Sequence, residues 1–119
     1  MEYYIDGKFE FFENAKVSFD DAGFLYGDGL FETMRFDNKI IFSSRNHLKR
    51  LSKGLRLIDL KIKYDASELL DLLHKVIHRN DLDSGIIRLM ITRGSTNQNS
   101  SDFNISRVYI SIKPFYKIP

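Results

Sequence analysis

The stretch that decides the fold is Gly23-Phe24-Leu25-Tyr26-Gly27-Asp28-Gly29-Leu30-Phe31-Glu32-Thr33-Met34-Arg35. Two glycines bracket an aspartate. Glycine tolerates backbone angles closed to other residues and lets a ligand or a second backbone come close. From Leu30 onward the pattern has a period of two, the period of a strand. Phe31, Thr33 and Arg35 share one face, and Leu30, Glu32, Met34 and Phe36 share the other. An arginine beside an aromatic and a threonine, straight after a flexible loop, marks a face that can meet a ligand. The plainer alternative is a hairpin whose arginine reaches solvent, and the pattern by itself favours that alternative.

Outward from this stretch toward the N-terminus, residues 1–5 and 8–12 are short β-rich runs around Asp6-Gly7, a dipeptide suited to a two-residue hairpin turn. Residues 16–19 read as extended, and Asp20-Asp21-Ala22-Gly23 as a turn. In the other direction, Asp37-Asn38 is a turn signal and residues 39–42 return antiparallel. The period then changes. Ser43 or Ser44 can cap a helix, and Leu48, Leu51, Leu55 and Ile58 follow as one apolar helical stripe. Arg45, Lys49, Lys53 and Arg56 give that helix a basic outer side. Arg50 stands apart from them, with His47 and Gly54 on the border of the stripe. By pattern alone Arg50 is a snorkelling side chain whose stem covers apolar surface.

Asp65 and Glu68 have capping-box spacing. Leu69, Leu72, Leu73, Val76 and Ile77 then form a second amphipathic helix ending near Asn80. His74 and His78 have a spacing that could hold a metal, but no third ligand accompanies them and Lys75 and Arg79 mark a solvated face, so no metal is expected. Residues 86–93 are the strongest strand, with Ile87, Leu89 and Ile91 on one face and Ile86, Arg88 and Met90 on the other. Arg88 is costly to bury unpaired, so it lies at a sheet edge or meets an anion. Residues 94–102 form a polar loop, and residues 107–113 the last strand, with Val108, Ile110 and Ile112 inward.

At 119 residues the chain is expected to be one domain. Its 43% hydrophobic content, including ten Phe and six Tyr, is enough for a folded core. A net charge of +2 is too slight to argue for a nucleic-acid partner, which shows as a clustered basic face. With no cysteine there is neither a disulfide framework nor a thiolate metal site. Met1-Glu2-Tyr3-Tyr4 lacks a signal-peptide pattern, and no apolar run reaches membrane-spanning length. A cytoplasmic protein with no membrane partner is the default. Strands, then two helices, then strands, joined by hairpin turns, predict an α+β domain: an antiparallel β-sheet with two helices packed on one face.

Four pieces together resemble the N-terminal domain of the class IV (fold type IV) pyridoxal-phosphate enzymes, which include branched-chain and D-amino-acid aminotransferases and aminodeoxychorismate lyases. They are Tyr4-Ile5-Asp6-Gly7-Lys8, residues 21–35, His47-Leu48-Lys49-Arg50-Leu51, and residues 87–94. They span almost the whole chain in the family's order. The resemblance implies that Arg50, the arginine of a His-x-x-Arg-Leu motif, holds the phosphate of pyridoxal 5′-phosphate. A phosphate dianion needs a fixed cation with several donors, and guanidinium supplies both. Phe31, Thr33 and Arg35 match strand positions facing the substrate pocket, Tyr26 an aromatic at its rim, and Arg88 an arginine that engages substrate carboxylates. Two positions depart from the family. Ile86 stands where branched-chain members carry a tyrosine, and Ser95-Thr96-Asn97-Gln98-Asn99 lacks the loop arginine of D-amino-acid and lyase members.

The family's Schiff-base lysine lies in a second domain, and no lysine here matches it. Residues 1–119 are therefore expected to be the small N-terminal domain of a two-domain enzyme, inactive alone, with that lysine beyond residue 119. The activity implied is amino-group transfer between an amino acid, branched-chain among the candidates, and a 2-oxo acid, in a homodimer. Two alternatives are an aminodeoxychorismate lyase, which eliminates pyruvate to give 4-aminobenzoate, and a non-catalytic binding domain of the same fold.

Overall fold

In a computed structural model, described for residues 1–96 and 106–115, the alternation that starts at Leu30 is a strand in the body of a six-stranded sheet. The elements in order are β1 (Glu2–Ile5), β2 (Lys8–Phe11), a 3-10 turn over Phe12–Asn14, α1 (Ala22–Tyr26), β3 (Gly29–Asp37), β4 (Ile40–Ile41), α2 (Ser44–Leu57), α3 (Ala66–Asn80), β5 (Gly85–Thr92) and β6 (Arg107–Pro114). The strands lie in the order β2-β1-β6-β5-β3-β4, every pairing antiparallel. The α+β architecture expected from the sequence is therefore the one observed. The last strand closes the fold, because β6 lies between β1 and β5.

The register explains the core. Glu32 pairs with Leu89, Leu89 with Ile110, and Ile110 with Tyr4, so one row of inward side chains crosses four strands. Met34–Ile87–Ile112 makes a second row. All these residues are buried, Glu32 among them. Onto this face α2 lays Leu48, Leu51 and Leu55, and α3 lays Leu69, Leu73, Val76 and Ile77. Each such side chain contributes about 1.5–3 kcal/mol when taken fully from water. Both helices use the same face. Neither α2 nor α3 reaches the opposite face. Short α1 covers one end of it, where its N-cap Asp21 bonds Thr92 and Tyr109. Phe31, Thr33, Arg35 and Arg88 are exposed on the rest.

Local chemistry decides the turns and helix ends. Asp6 and Gly7 have φ of 43° and 100°, the left-handed pair that a two-residue hairpin loop requires. The capping box of α3 is complete: the Glu68 backbone N–H donates to Asp65 Oδ1, and the Asp65 backbone N–H donates to Glu68 Oε1. Three local expectations are corrected. Residues 16–19 lie outside any strand. Asp20–Gly23 is not a free turn but the entry to α1, because the Asp21 side chain accepts from the Gly23 backbone N–H and caps the helix. Ser43 does stand at the N-cap of α2, but at φ 56° its side chain makes no capping hydrogen bond. From residue 97 on, the polar loop expected at residues 94–102 lies outside the described residues, as do residues 103–105 and 116–119.

Candidate cofactor and substrate site

The border residues of α2 turn out to share a neighbour. His47, Arg50 and Gly54 sit three and four residues apart, so they form one ridge of the helix, and that ridge runs along β3. At Gly54 a Cβ atom would stand 2.8 Å from Leu30 Cδ1, so the absent side chain lets helix and strand approach closely. One turn earlier, Arg50 donates through Nε to Glu32 Oε2 at 3.1 Å and through Nη2 to Oε1 at 2.7 Å. His47 donates through Nδ1 to the same Oε1 at 2.6 Å. The Glu32 side chain is only 7% exposed, whereas that of Arg50 is 70% exposed. Burial alone would raise the Glu32 pKa, but the bonds from Arg50 and His47 outweigh it and hold the carboxyl below its ordinary value. The bond to Glu32 in turn raises the pKa of Arg50. Glu32 is thus an ionised carboxylate at the core edge, with both oxygens engaged.

Guanidinium has five N–H donors in a planar fork. Glu32 takes the edge formed by Nε and Nη2. Among the described residues Nη1 has no hydrogen-bond partner, and the group opens onto a shallow depression shared with Asn46 and His47.

The face of the sheet away from α2 and α3 holds most of the other candidates. Thr33 pairs with Arg88 across β3 and β5. Arg88 Nε donates to Thr33 Oγ1 at 3.2 Å, and its guanidinium carbon stands 5.4 Å from the centroid of the Phe31 ring. Phe31, Thr33 and Arg88 therefore form one cluster. Its Thr33 and Arg88 line a cleft of about 350 Å³ together with Tyr3, Ser111 and Lys113. Arg35 shares the face, but its guanidinium lies over the Phe115 ring at 4.4 Å. Tyr26 ends α1 with its side chain exposed. Arg50 does not join this cluster. It approaches β3 from the helix layer, through Glu32, while Phe31 and Thr33 on either side of Glu32 point the opposite way.

The loop between these regions is tied down by residues that pattern reading passed over. Asp21, 1% exposed, accepts at Oδ1 from the Gly23 backbone N–H at 2.8 Å. Its Oδ2 accepts from Thr92 Oγ1 at 2.9 Å and from the Tyr109 hydroxyl at 2.7 Å. Burial and the bond to Asp21 push the Tyr109 pKa up, so the phenol stays a donor. Arg93 joins the glycine loop to the end of α2, donating from Nε to Asp28 Oδ2 at 2.8 Å and from Nη2 to the Ile58 carbonyl at 2.7 Å. For Glu32 the signal was available: a lone charge on the apolar side of an alternating strand needs partners when buried. For Asp21 it was weaker, an N-cap residue ahead of a helix too short to show a period. Arg93 carried no pattern signal of its own, only its place in the matched stretch 87–94.

Known proteins share this sequence pattern and this fold. The family model described as "Amino-transferase class IV" matches residues 29–119. The D-alanine aminotransferase of Staphylococcus aureus (strain MSSA476) is 33% identical over 98 residues, which is 82% of this chain and 35% of that protein. Among solved structures, the branched-chain aminotransferase from Thermoproteus uzoniensis with norvaline superposes with a TM-score of 0.81 at 30% identity, covering 98% of this chain and 41% of that one. A hypothetical aminotransferase from Mycobacterium tuberculosis, in a PLP-bound form, has a TM-score of 0.80 at 24% identity, a likeness of fold, over 96% of this chain and 39% of its own. The chain spans about a third of the length of the curated relatives it matches.

Proposed function

This chain belongs to the class IV aminotransferase family, and from that premise we propose that it is the small N-terminal domain of a pyridoxal-phosphate aminotransferase moving an amino group between an amino acid and a 2-oxo acid. Residues 1–119 supply the phosphate arginine and part of the substrate pocket, and the lysine that joins the cofactor comes from a second domain. The complete enzyme is a cytoplasmic homodimer in this reading. Among the described residues, no helix is long and apolar enough to cross a membrane.

One observation carries the proposal: a guanidinium on α2, 70% exposed yet held on one edge by a buried carboxylate. The donor set suits a phosphate, because the free Nη1 edge offers N–H groups and the charge cannot be titrated away. When bound, pyridoxal phosphate supplies the electron sink that makes amino-group transfer feasible. The chain's own residues bind and orient. Arg50 holds the phosphate. Arg88, braced by Thr33 and stacked near Phe31, takes the substrate carboxylate, with Arg35 as a second cation on the same face. Phe31 and Tyr26 cover the apolar part of the substrate and exclude water. Strand residues suit this work, because a rigid element holds a bidentate contact better than a loop does.

A cofactor titration of the full-length protein tests the reading. Arg50→Ala is expected to weaken pyridoxal-phosphate binding by roughly tenfold or more, through the loss of a hydrogen-bonded charged partner. Arg56→Ala, on the exposed outer side of the same helix, should leave binding unchanged. Equal affinities for the two variants would remove Arg50 from the site.

A further inference from the structure

We propose that Glu32 is a positioning residue for the phosphate arginine: its buried carboxylate fixes the Nε/Nη2 edge of Arg50 so that the Nη1 edge is presented to the phosphate. The inference rests on the reading of Arg50 given above and extends it to a residue that touches neither cofactor nor substrate.

Three observations support it. First, the two Arg50–Glu32 bonds form a fork, at 3.1 and 2.7 Å, and a fork fixes the plane of the guanidinium as well as its place. Second, Glu32 cannot follow a moving arginine. It belongs to β3, pairs with Leu89, is 6% exposed, and gives Oε1 also to His47 at 2.6 Å. Third, the guanidinium itself is exposed, so burial does not restrain it. An exposed arginine has considerable side-chain rotamer entropy to lose on binding an anion, and Glu32 removes much of that freedom beforehand.

The opposing effect is charge. A carboxylate beside Arg50 offsets its attraction for a dianion, so the arrangement helps only if orientation outweighs neutralisation. In solvent the Coulomb term is strongly damped, whereas the alignment of donors persists. A different role would be a staple holding α2 to β3. A staple affects everything the domain binds. A positioning residue affects only ligands that carry the phosphate.

That difference is measurable in the full-length protein as the ratio of affinities for pyridoxal 5′-phosphate and pyridoxal. Glu32→Gln, which keeps the volume and removes the charge, is expected to lower the ratio by roughly tenfold, with pyridoxal affinity within about twofold of wild type on the same scale. Arg50→Ala should lower it at least as far. The double variant should go no further than Arg50→Ala, because residues acting through one contact are not additive. Glu32→Asp, which keeps the charge but shortens the reach, gives the same readout if Glu32→Gln does not fold. A lowered ratio in Arg50→Ala with an unchanged ratio in Glu32→Gln or Glu32→Asp would overturn the positioning role and leave the phosphate reading standing. An unchanged ratio in Arg50→Ala would overturn both.

Discussion

The two sides of β3 use charge in opposite ways. Toward the helices, Glu32 is buried and both its oxygens are taken by α2, from Arg50 and His47. Away from them, Arg35 and, on the neighbouring strand β5, Arg88 beside Thr33 are exposed, and among the described residues neither has a carboxylate partner. Their contacts are a 3.2 Å bond to a threonine hydroxyl and stacking against Phe31 and Phe115. On the inner side Glu32 is committed to holding a geometry, and Arg50 keeps only its Nη1 edge free. The outer cations keep nearly all their donors for a ligand. One strand of nine residues thus serves as scaffold on one side and as a receiving surface on the other.

The sharpest way to test this division is to truncate one phenylalanine on each side. Phe36 points inward and is fully buried, whereas Phe31 points outward at 63% exposure. Phe36→Ala is expected to cost about 3–5 kcal/mol of folding stability through the lost transfer energy and the cavity left behind. Phe31→Ala should stay within about 0.5 kcal/mol, as exposed substitutions do, and should instead raise KM for the amino donor. Chemical denaturation of both variants gives the comparison. Similar stability losses would mean that the outer face is packed in the working protein.

The next test concerns the start of the strand. A Cβ at Gly29 would stand 2.3 Å from the Ile91 carbonyl oxygen and 3.1 Å from Thr92 Cα, both backbone atoms of β5. Backbone cannot rotate aside as a side chain does. Gly29→Ala should therefore force β3 and β5 apart at their Gly29–Thr92 pair, at a cost of about 1–3 kcal/mol. The disturbance reaches Thr92, whose hydroxyl holds Asp21, and so loosens α1 as well. A thermal melt indistinguishable from wild type would show that the strands tolerate the added methyl.

Why the sequence revealed the sheet but only part of the site follows from these same residues. Period-two alternation put Met34 and Phe36 inside and Thr33 and Arg35 outside, because burial on one face imposes that pattern directly. The stripe of α2 was equally plain. What periodicity does not encode is which layer of the fold two elements share. Arg50 and Arg88 both carried a resemblance to binding residues, yet one lies with α2 and α3 and the other on the opposite face of the sheet. Only the close passage of α2 over β3 at Gly54 shows how Arg50 is held. Asp21 illustrates the other limit. Its partners Thr92 and Tyr109 are 71 and 88 residues away in the chain, and no local pattern announces a bond over that span.

The finest test asks how much that close passage at Gly54 matters. Gly54→Ala has two effects of similar size and opposite sign. Alanine in a helix interior is favoured over glycine by about 0.8–1.0 kcal/mol. Against it, the new Cβ would stand 2.8 Å from Leu30 Cδ1, which is too close. The obstructing atom is the far end of a leucine side chain that is not fully buried, so it can turn by a fraction of a rotamer at about 0.5–1.5 kcal/mol. The net change expected is within about 0.5 kcal/mol. Because the adjustment falls on Leu30 and not on the helix, Arg50 should still reach Glu32. The ratio of pyridoxal-phosphate to pyridoxal affinity should then match wild type. A clear stability loss together with a reduced ratio would mean that α2 itself had moved, and that the Arg50–Glu32 fork depends on glycine at this position.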